Sequence, residues 1–274
     1  VCSGRSPGTM PSTMKLTQLR NATLVVEFES ATGPVSMLVD PMLARKGALP
    51  TLRWLGPGRR RNPVVDLPES SPAILERVTC ALITHCQRGH FDHLDGAAIR
   101  FLKERDLPVW CMPKDATYLE KRGLRVQTLG PPGFFGGAIT PIACVHGRGL
   151  VGHLMEHGFG YFIELPGEPT LYLAGDTLLT EDIKERLARL RPDVSVFPAG
   201  GARFDLGTEI IMNGHDVCEA AAFTPGVLIA NHLEALDHCP TTRAELRRLA
   251  DEAGLGERVR IPLDGESCEF LPGS

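Results

Sequence analysis

Several signatures are missing from this chain, and each absence removes a class of function. No apolar run approaches the ~20 residues that a membrane-spanning helix requires, and no charged-then-apolar signal segment opens the sequence. The formal charge of −4 leaves no basic footprint for nucleic acid. Arg59, Arg60 and Arg61 do cluster, but between glycine and proline they read as a solvated loop. No aromatic–basic stripe is visible, which argues against a nuclease. The eight cysteines form no C-x-x-C pair, and several sit inside apolar runs, as Cys80 does in "VTCALIT" and Cys111 in "PVWCMP". Buried free thiols in a reducing compartment follow, so a cytoplasmic protein is expected. There is no G-x-x-x-x-G-K-[ST] loop for phosphates, although "GGARFDLG" is glycine-rich, and no G-x-S-x-G nucleophile elbow. No internal repeat or low-complexity tract interrupts the chain.

What is present is an ordinary globular composition, 43% hydrophobic and 23% charged over 274 residues, enough to bury a sizeable core. Residues 1–13, rich in Gly, Pro and Ser, read as a disordered leader, with Met14 as a plausible start of the domain. Short β-branched runs predict strands at "TLVVEF" and "VSMLVDP", separated by the turn-like "SATGP". Residues 41–72 hold many Pro, Gly and Arg without periodicity and read as a long excursion. "VTCALITH", "PVWCMP", "LRVQTL", "AITPIACVH", "GYFIEL", "TLYLAGDT", "DVSVFPAG", "GVLIANH" and "RVRIPLDGE" predict further strands. Helices are expected after Asp95, through Tyr118 and Leu119, after Thr180, over "GHDVCEAAAF", and after a Thr242-x-x-Glu245 capping box. Strands and helices come in runs rather than in strict alternation. That pattern favours an α/β fold of sheets packed on each other with helices outside.

The polar residues collect where strands end. "ITHCQRGHFDHLDG" places His85, His90, Asp92 and His93 just after an apolar run, using three of the nine histidines. His146 follows "IACV", Asp176 follows "LYLAG" and His232 follows "VLIAN". Four strands that each deliver an imidazole or carboxylate at the same end can converge those groups on one metal centre. A set of solvated turns would need the coincidence four times.

These residues resemble the metallo-β-lactamase superfamily. The likeness rests on "THCQRGHFDHLD", "VHG", "LAGDT" and the late strand-end histidine, and covers nearly the whole chain from Met14. It is nearest to the ascorbate-6-phosphate-lactonase-like and N-acylphosphatidylethanolamine phospholipase D-like branches. The resemblance implies a four-layer αββα sandwich of two mixed β-sheets flanked by helices, formed by residues 14–274 as one domain. It implies one metal site at His85, His90 and His146, a second at Asp92, His93 and His232, and Asp176 as bridge. The family spaces its first two histidines two apart, whereas His85 and His90 stand five apart. Either a loop insertion leaves His85 in reach, or Arg88 takes the first position and one metal remains; we expect the insertion.

Imidazole and carboxylate ligands suit Zn²⁺ first, with Mn²⁺ or Fe²⁺ as alternatives. The expected activity is therefore a metal-dependent hydrolase using a metal-bound hydroxide on a lactone, phosphodiester or phosphoester of a small substrate. Asp92 and Asp176 would be its catalytic carboxylates. Arg148 and Arg88 point to an anionic substrate, Asp40 to a support beneath the ligands, and His238, His153 and His157 to pocket walls or solvent. His153 and His157 also fit the inverted zinc-peptidase pattern H-x-x-E-H, but the surrounding glycines argue against the helix it needs. Two other classes stay open: a non-catalytic metal-sensing module and an iron oxidoreductase on the same ligands. A homo-oligomer is also compatible with the sequence.

Overall fold

The computed structural model describes residues 13–55, 58–87, 89–131, 133–155 and 158–272. The leader expected over 1–13 lies, except for Thr13, outside the described residues, as do Arg88 and His157. The first half runs β1 (Met14–Arg20), β2 (Thr23–Ser30), β3 (Gly33–Val39), α1 (Ser71–Glu76), β4 (Cys80–Leu82), α2 (Gly96–Glu104), β5 (Pro108–Cys111), α3 (Pro113–Glu120) and β6 (Arg125–Thr128). The second begins with β7 (Ala138–Ala143), α4 (Gly149–Leu154), β8 (Phe159–Glu164), β9 (Leu171–Leu173), α5 (Glu181–Leu190) and β10 (Val194–Pro198). It closes with α6 (Gly214–Ala220), β11 (Val227–Asn231), α7 (Arg243–Glu252), β12 (Val259–Arg260) and β13 (Ser267–Phe270).

Two mixed sheets result, in the orders β13-β1-β2-β3-β4-β5-β6 and β12-β11-β10-β9-β8-β7. Apolar residues on their inner faces interdigitate: Leu16, Val26, Met37 and Leu82 of one sheet meet Tyr161, Leu173, Val196 and Ile229 of the other. The outer faces are covered by helices. Ile74 of α1, Ala98 and Leu102 of α2 and Leu119 of α3 pack on Val25, Leu38, Ala81 and Val109. Ile183 and Leu187 of α5, Val217 of α6 and Leu246 of α7 pack on Phe162, Tyr172, Phe197 and Leu228. The architecture is the four-layer αββα sandwich. Central strands such as β4, β9, β10 and β11 are largely buried on both faces because each sheet is covered on both sides, which explains the continuous runs in the sequence.

Local signals set the helix starts. Asp95 Oδ1 accepts the Ala98 N–H at 2.8 Å, Thr180 Oγ1 that of Ile183 at 3.3 Å, and Thr242 Oγ1 that of Glu245 at 3.1 Å. A reciprocal capping box forms at Asn213 and Asp216, where none was expected. The structure also adds β1, whose Met14 is fully buried and pairs with Phe270, and the short helix α1 that starts at the end of the excursion. Where glycines argued against a helix around His153, six residues form α4.

The excursion is pinned down rather than loose. Arg20 is fully buried, and its guanidinium donates to the carbonyls of Val65, Met42 and Ala44 at 3.1, 2.6 and 2.8 Å. At its far end Asp237 accepts from Thr51 Oγ1, from the backbone N–H groups of Leu52 and Arg60, and from Asn62 Nδ2.

Candidate metal centre

Strand direction decides which side chains meet. β3, β4 and β5 run parallel, as do β9, β10 and β11, while β8 is antiparallel to both β7 and β9. The C-terminal ends of β3, β4, β7, β9 and β11 therefore share one edge of the sandwich. Asp40 follows β3 directly and His232 follows β11 directly. His85, His146 and Asp176 each lie three residues beyond the end of a strand: β4, β7 and β9.

Seven buried side chains collect there in two groups. His85, His90 and His146 form one, and Asp92, His93, Asp176 and His232 the other; in each, one ligand atom per residue lies within 4.8 Å of the rest. Asp176 Oδ2 reaches across, 3.1 Å from His93 Nε2, 3.4 Å from His232 Nε2 and 3.7 Å from His146 Nε2. Asp92 Oδ2 lies 3.3 Å from His232 Nε2. The five-residue spacing from His85 does not separate the first group. The chain turns at Gly89 (φ +88°), where only glycine is comfortable, and the rings of His85 and His90 come to 4.5 Å.

A common tautomer emerges from the hydrogen bonds. His90 Nδ1 donates to the Gln87 carbonyl at 2.6 Å and His146 Nδ1 to the Ile210 carbonyl at 2.8 Å. His93 Nδ1 donates to Asp40 Oδ2 at 2.9 Å. Thr84 Oγ1 gives its own proton to Asp40 at 2.6 Å and so accepts from His85 Nδ1 at 3.0 Å. His232 Nδ1 faces Cys239 Sγ at 3.5 Å. The oxygen partners assign a proton to Nδ1 of His85, His90, His93 and His146, and in all five rings Nε2 is the nitrogen left facing the centre. Such outer partners fix ring orientation and raise ligand basicity. Two of these positions carry backbone strain: Asp40 (φ +44°) and His232 (φ +58°) occupy the left-handed region.

The electrostatics fit a cation. Burial pushes the pKa of His85 well down and that of His146 to about 4, so both imidazoles are neutral at neutral pH. Burial acts in the same direction on His93 and His232, but the carboxylates of Asp176 and Asp92 outweigh it and hold both well above the usual range. Among the described residues the ion pairs of Asp92 and Asp176 are all to histidines, so buried negative charge seeks a positive partner here. Among the described residues, His85 Nε2 is buried with no hydrogen-bond partner, as expected of an atom reserved for a ligand.

The remaining candidates are distributed unevenly. Asp40 joins the centre through His93 and Thr84. Asp95 serves as the α2 cap and accepts the Ala44 N–H at 2.6 Å. His238 is buried, not solvated, and its ring stacks on Phe204 with centroids 5.9 Å apart. Arg148, at the start of α4, and His153, within it, are exposed and belong to neither group. Thr84, Cys239 and the carbonyls of Gln87 and Ile210 were not foreseen. A backbone carbonyl has no sequence signal, and nothing in "LDHCPTT" marks Cys239 as a partner of His232.

The family model described as "Beta-lactamase superfamily domain" matches residues 36–244. The chain is 33% identical to the UPF0173 protein YddR of Bacillus subtilis, covering 94% of this chain and 100% of that protein. It is 30% identical to a UPF0173 metal-dependent hydrolase of Koribacter versatilis, covering 68% of this chain and 72% of the relative. Among solved structures, an isothiocyanate hydrolase from Delia radicum gut bacteria superposes with a TM-score of 0.82 at 33% identity, covering 94% of this chain and all of the other. A possible metal-dependent hydrolase from Veillonella parvula gives 0.81 at 28% identity, covering 93% and 99%.

Proposed function

We infer the reaction from one premise: this chain belongs to the beta-lactamase superfamily and, with its UPF0173 relatives, is a metal-dependent hydrolase. The observation that carries the finer reading is the pair of adjoining ligand groups with Asp176 in reach of both. His85, His90 and His146 would hold one divalent ion, Asp92, His93 and His232 a second, and Asp176 would bridge them. The imidazole and carboxylate donors suit Zn²⁺ first and also Mn²⁺ or Fe²⁺. Such ions supply an acidified water as nucleophile and a Lewis acid for the scissile bond.

The chain's own groups do the rest. Four Nδ1–H hydrogen bonds and the Cys239 contact to His232 hold the imidazoles in place, so little reorganisation accompanies the reaction. An Asp92 carboxylate oxygen accepts a hydrogen bond from the attacking water and orients it. We propose a small-molecule substrate carrying a lactone, phosphodiester or phosphoester bond. The exposed Arg148 could meet an anionic group outside the centre. A second reading, hydrolysis of an isothiocyanate, is supported by the 33% identical neighbour that bears that name. We read 14–274 as one domain, since β1 pairs with both β2 and β13 and ties the two ends of the chain together. No helix among the described residues is long and apolar enough to cross a membrane. Free, largely buried cysteines support a reducing, cytoplasmic setting.

The test is turnover by metal-reconstituted protein on a simple lactone, bis(p-nitrophenyl) phosphate, p-nitrophenyl phosphate and an alkyl isothiocyanate. One class should be hydrolysed, and Asp176→Ala should abolish that turnover. Full metal occupancy with no hydrolysis of any class would favour the sensing module. Iron with redox activity would favour the oxidoreductase.

A further inference from the structure

We propose that an apolar groove beside the centre, walled by Trp54, Leu55, Val151, Leu154, Phe204 and Leu206, seats a short alkyl or arylalkyl group of the substrate. The inference rests on the hydrolase reading and specifies its substrate class. The groove has a volume of about 330 Å³, at the small end of small-molecule sites. Four of its walls are unusually exposed for large apolar side chains: Trp54 at 79%, Leu55 at 66%, Leu154 at 70% and Leu206 at 82%. Exposed apolar surface concentrated in one concavity marks a place where something apolar binds.

The groove is built rather than incidental. Asp205 accepts the backbone N–H groups of Trp54 and Leu55 and the Nε–H of Arg53, at 2.5, 2.8 and 3.1 Å. One carboxylate thereby locks the 53–55 loop to the 203–207 loop and fixes both rims. The third wall is α4, which begins three residues after His146.

Its floor adjoins the metal centre. Val151, Met155 and Phe204 pack with Ile210, Ile211 and Cys239. The Ile210 carbonyl holds His146 Nδ1, Cys239 Sγ faces His232 Nδ1, and Phe204 stacks on His238. These contacts lie on the Nδ1 side of the histidines, and the three walls follow β3, β7 and β10, so the groove sits at the edge of the sandwich that carries the centre. That placement and the small volume favour a substrate group over a second protein surface.

The test uses full-length, metal-loaded protein and the n-alkanols from butanol to octanol, read by tryptophan fluorescence. Trp54 lies on the groove, and the other tryptophan, Trp110, packs among core aromatics. Burial of a methylene predicts an affinity gain of three- to fourfold per added carbon until the groove is filled. Val151→Glu and Leu206→Glu should each remove that dependence while leaving metal content unchanged. Leu206 is exposed, so its substitution spares the fold. Affinities that do not depend on chain length would overturn the proposal, as would a dependence that survives Leu206→Glu. So would a dimer that dissociates in Leu206→Glu with no alkanol bound by wild type, because the groove would then belong to a second copy. Alkanols are not hydrolysed, so chain-length-dependent binding stands even if no substrate is turned over, and turnover with flat alkanol binding refutes only the groove.

Discussion

Asp40 and His93, 53 residues apart in sequence, meet through a 2.9 Å contact between Oδ2 and Nδ1 at the base of the candidate metal centre. The same carboxylate accepts the Thr84 N–H and the Thr84 hydroxyl, and Thr84 in turn holds His85. One buried carboxylate thus orients a histidine in each ligand group. Asp40→Ala should weaken metal binding by about 10- to 100-fold, the usual effect of removing such a support. Competition against a chromophoric chelator measures it directly, and an unchanged affinity would refute the role.

Gly158 presses against the other side of His85. A Cβ placed there would lie 2.8 Å from His85 Cβ and 3.0 Å from the Thr84 carbonyl oxygen, closer than real contacts allow. Gly158→Ala should displace His85 and lower occupancy of the His85–His90–His146 group more than that of its neighbour. Metal titration of the variant should show one weakened binding step. Two unchanged steps would argue against His85 as a ligand.

The Arg20 guanidinium is a buried staple between β1 and the 41–72 excursion. Burial pulls its pKa down to about 10, still charged at neutral pH. Arg20→Met removes the donors and leaves three carbonyls to find others. We expect a loss of about 3 kcal/mol in urea unfolding, the scale of a few charge-assisted hydrogen bonds left unmade. A change below about 0.5 kcal/mol would mean that the excursion is held elsewhere.

Asp237 gives the fold a pH signature. Burial pushes this carboxylate up, but the hydrogen bonds from Thr51, Asn62, Leu52 and Arg60 outweigh it and hold the group below its ordinary value. A depressed carboxylate stabilises the fold above its unfolded pKa of about 3.9, and that stability is lost as pH falls toward the folded value. Asp237→Asn should be less stable than wild type at pH 7, with the gap closing as pH falls below about 3.9. Paired urea melts at several pH values measure this, and a gap that stays constant would exclude the linkage.

Much of the architecture was legible because both sheets are covered on both faces, so strands such as "VTCALIT" and "GVLIANH" appear as unbroken apolar runs. The convergence of Asp176 and His232 was legible for a related reason: parallel strands carry their C-terminal residues to one edge. β1 was missed because "KLTQLR" alternates polar residues whose burial comes from distant partners: Ser267 for Thr17, the Asn21 carbonyl for Gln18 and the carbonyls of Met42, Ala44 and Val65 for Arg20. The supports of the centre were mostly illegible. Gln87 and Ile210 contribute carbonyls, which any residue possesses, and Cys239 reaches His232 only through the turn after β11. The groove was hidden for the same reason, since Trp54, Val151 and Leu206 come from three segments that no periodicity connects.

Metal content per chain is the first measurement, by inductively coupled plasma mass spectrometry on protein purified without added metal or chelator. Wild type should carry about two divalent ions, as a shared two-metal site requires, with His85→Ala and Asp176→Ala each carrying fewer. No bound metal in wild type, even after reconstitution with Zn²⁺ or Mn²⁺, would contradict the metal centre itself.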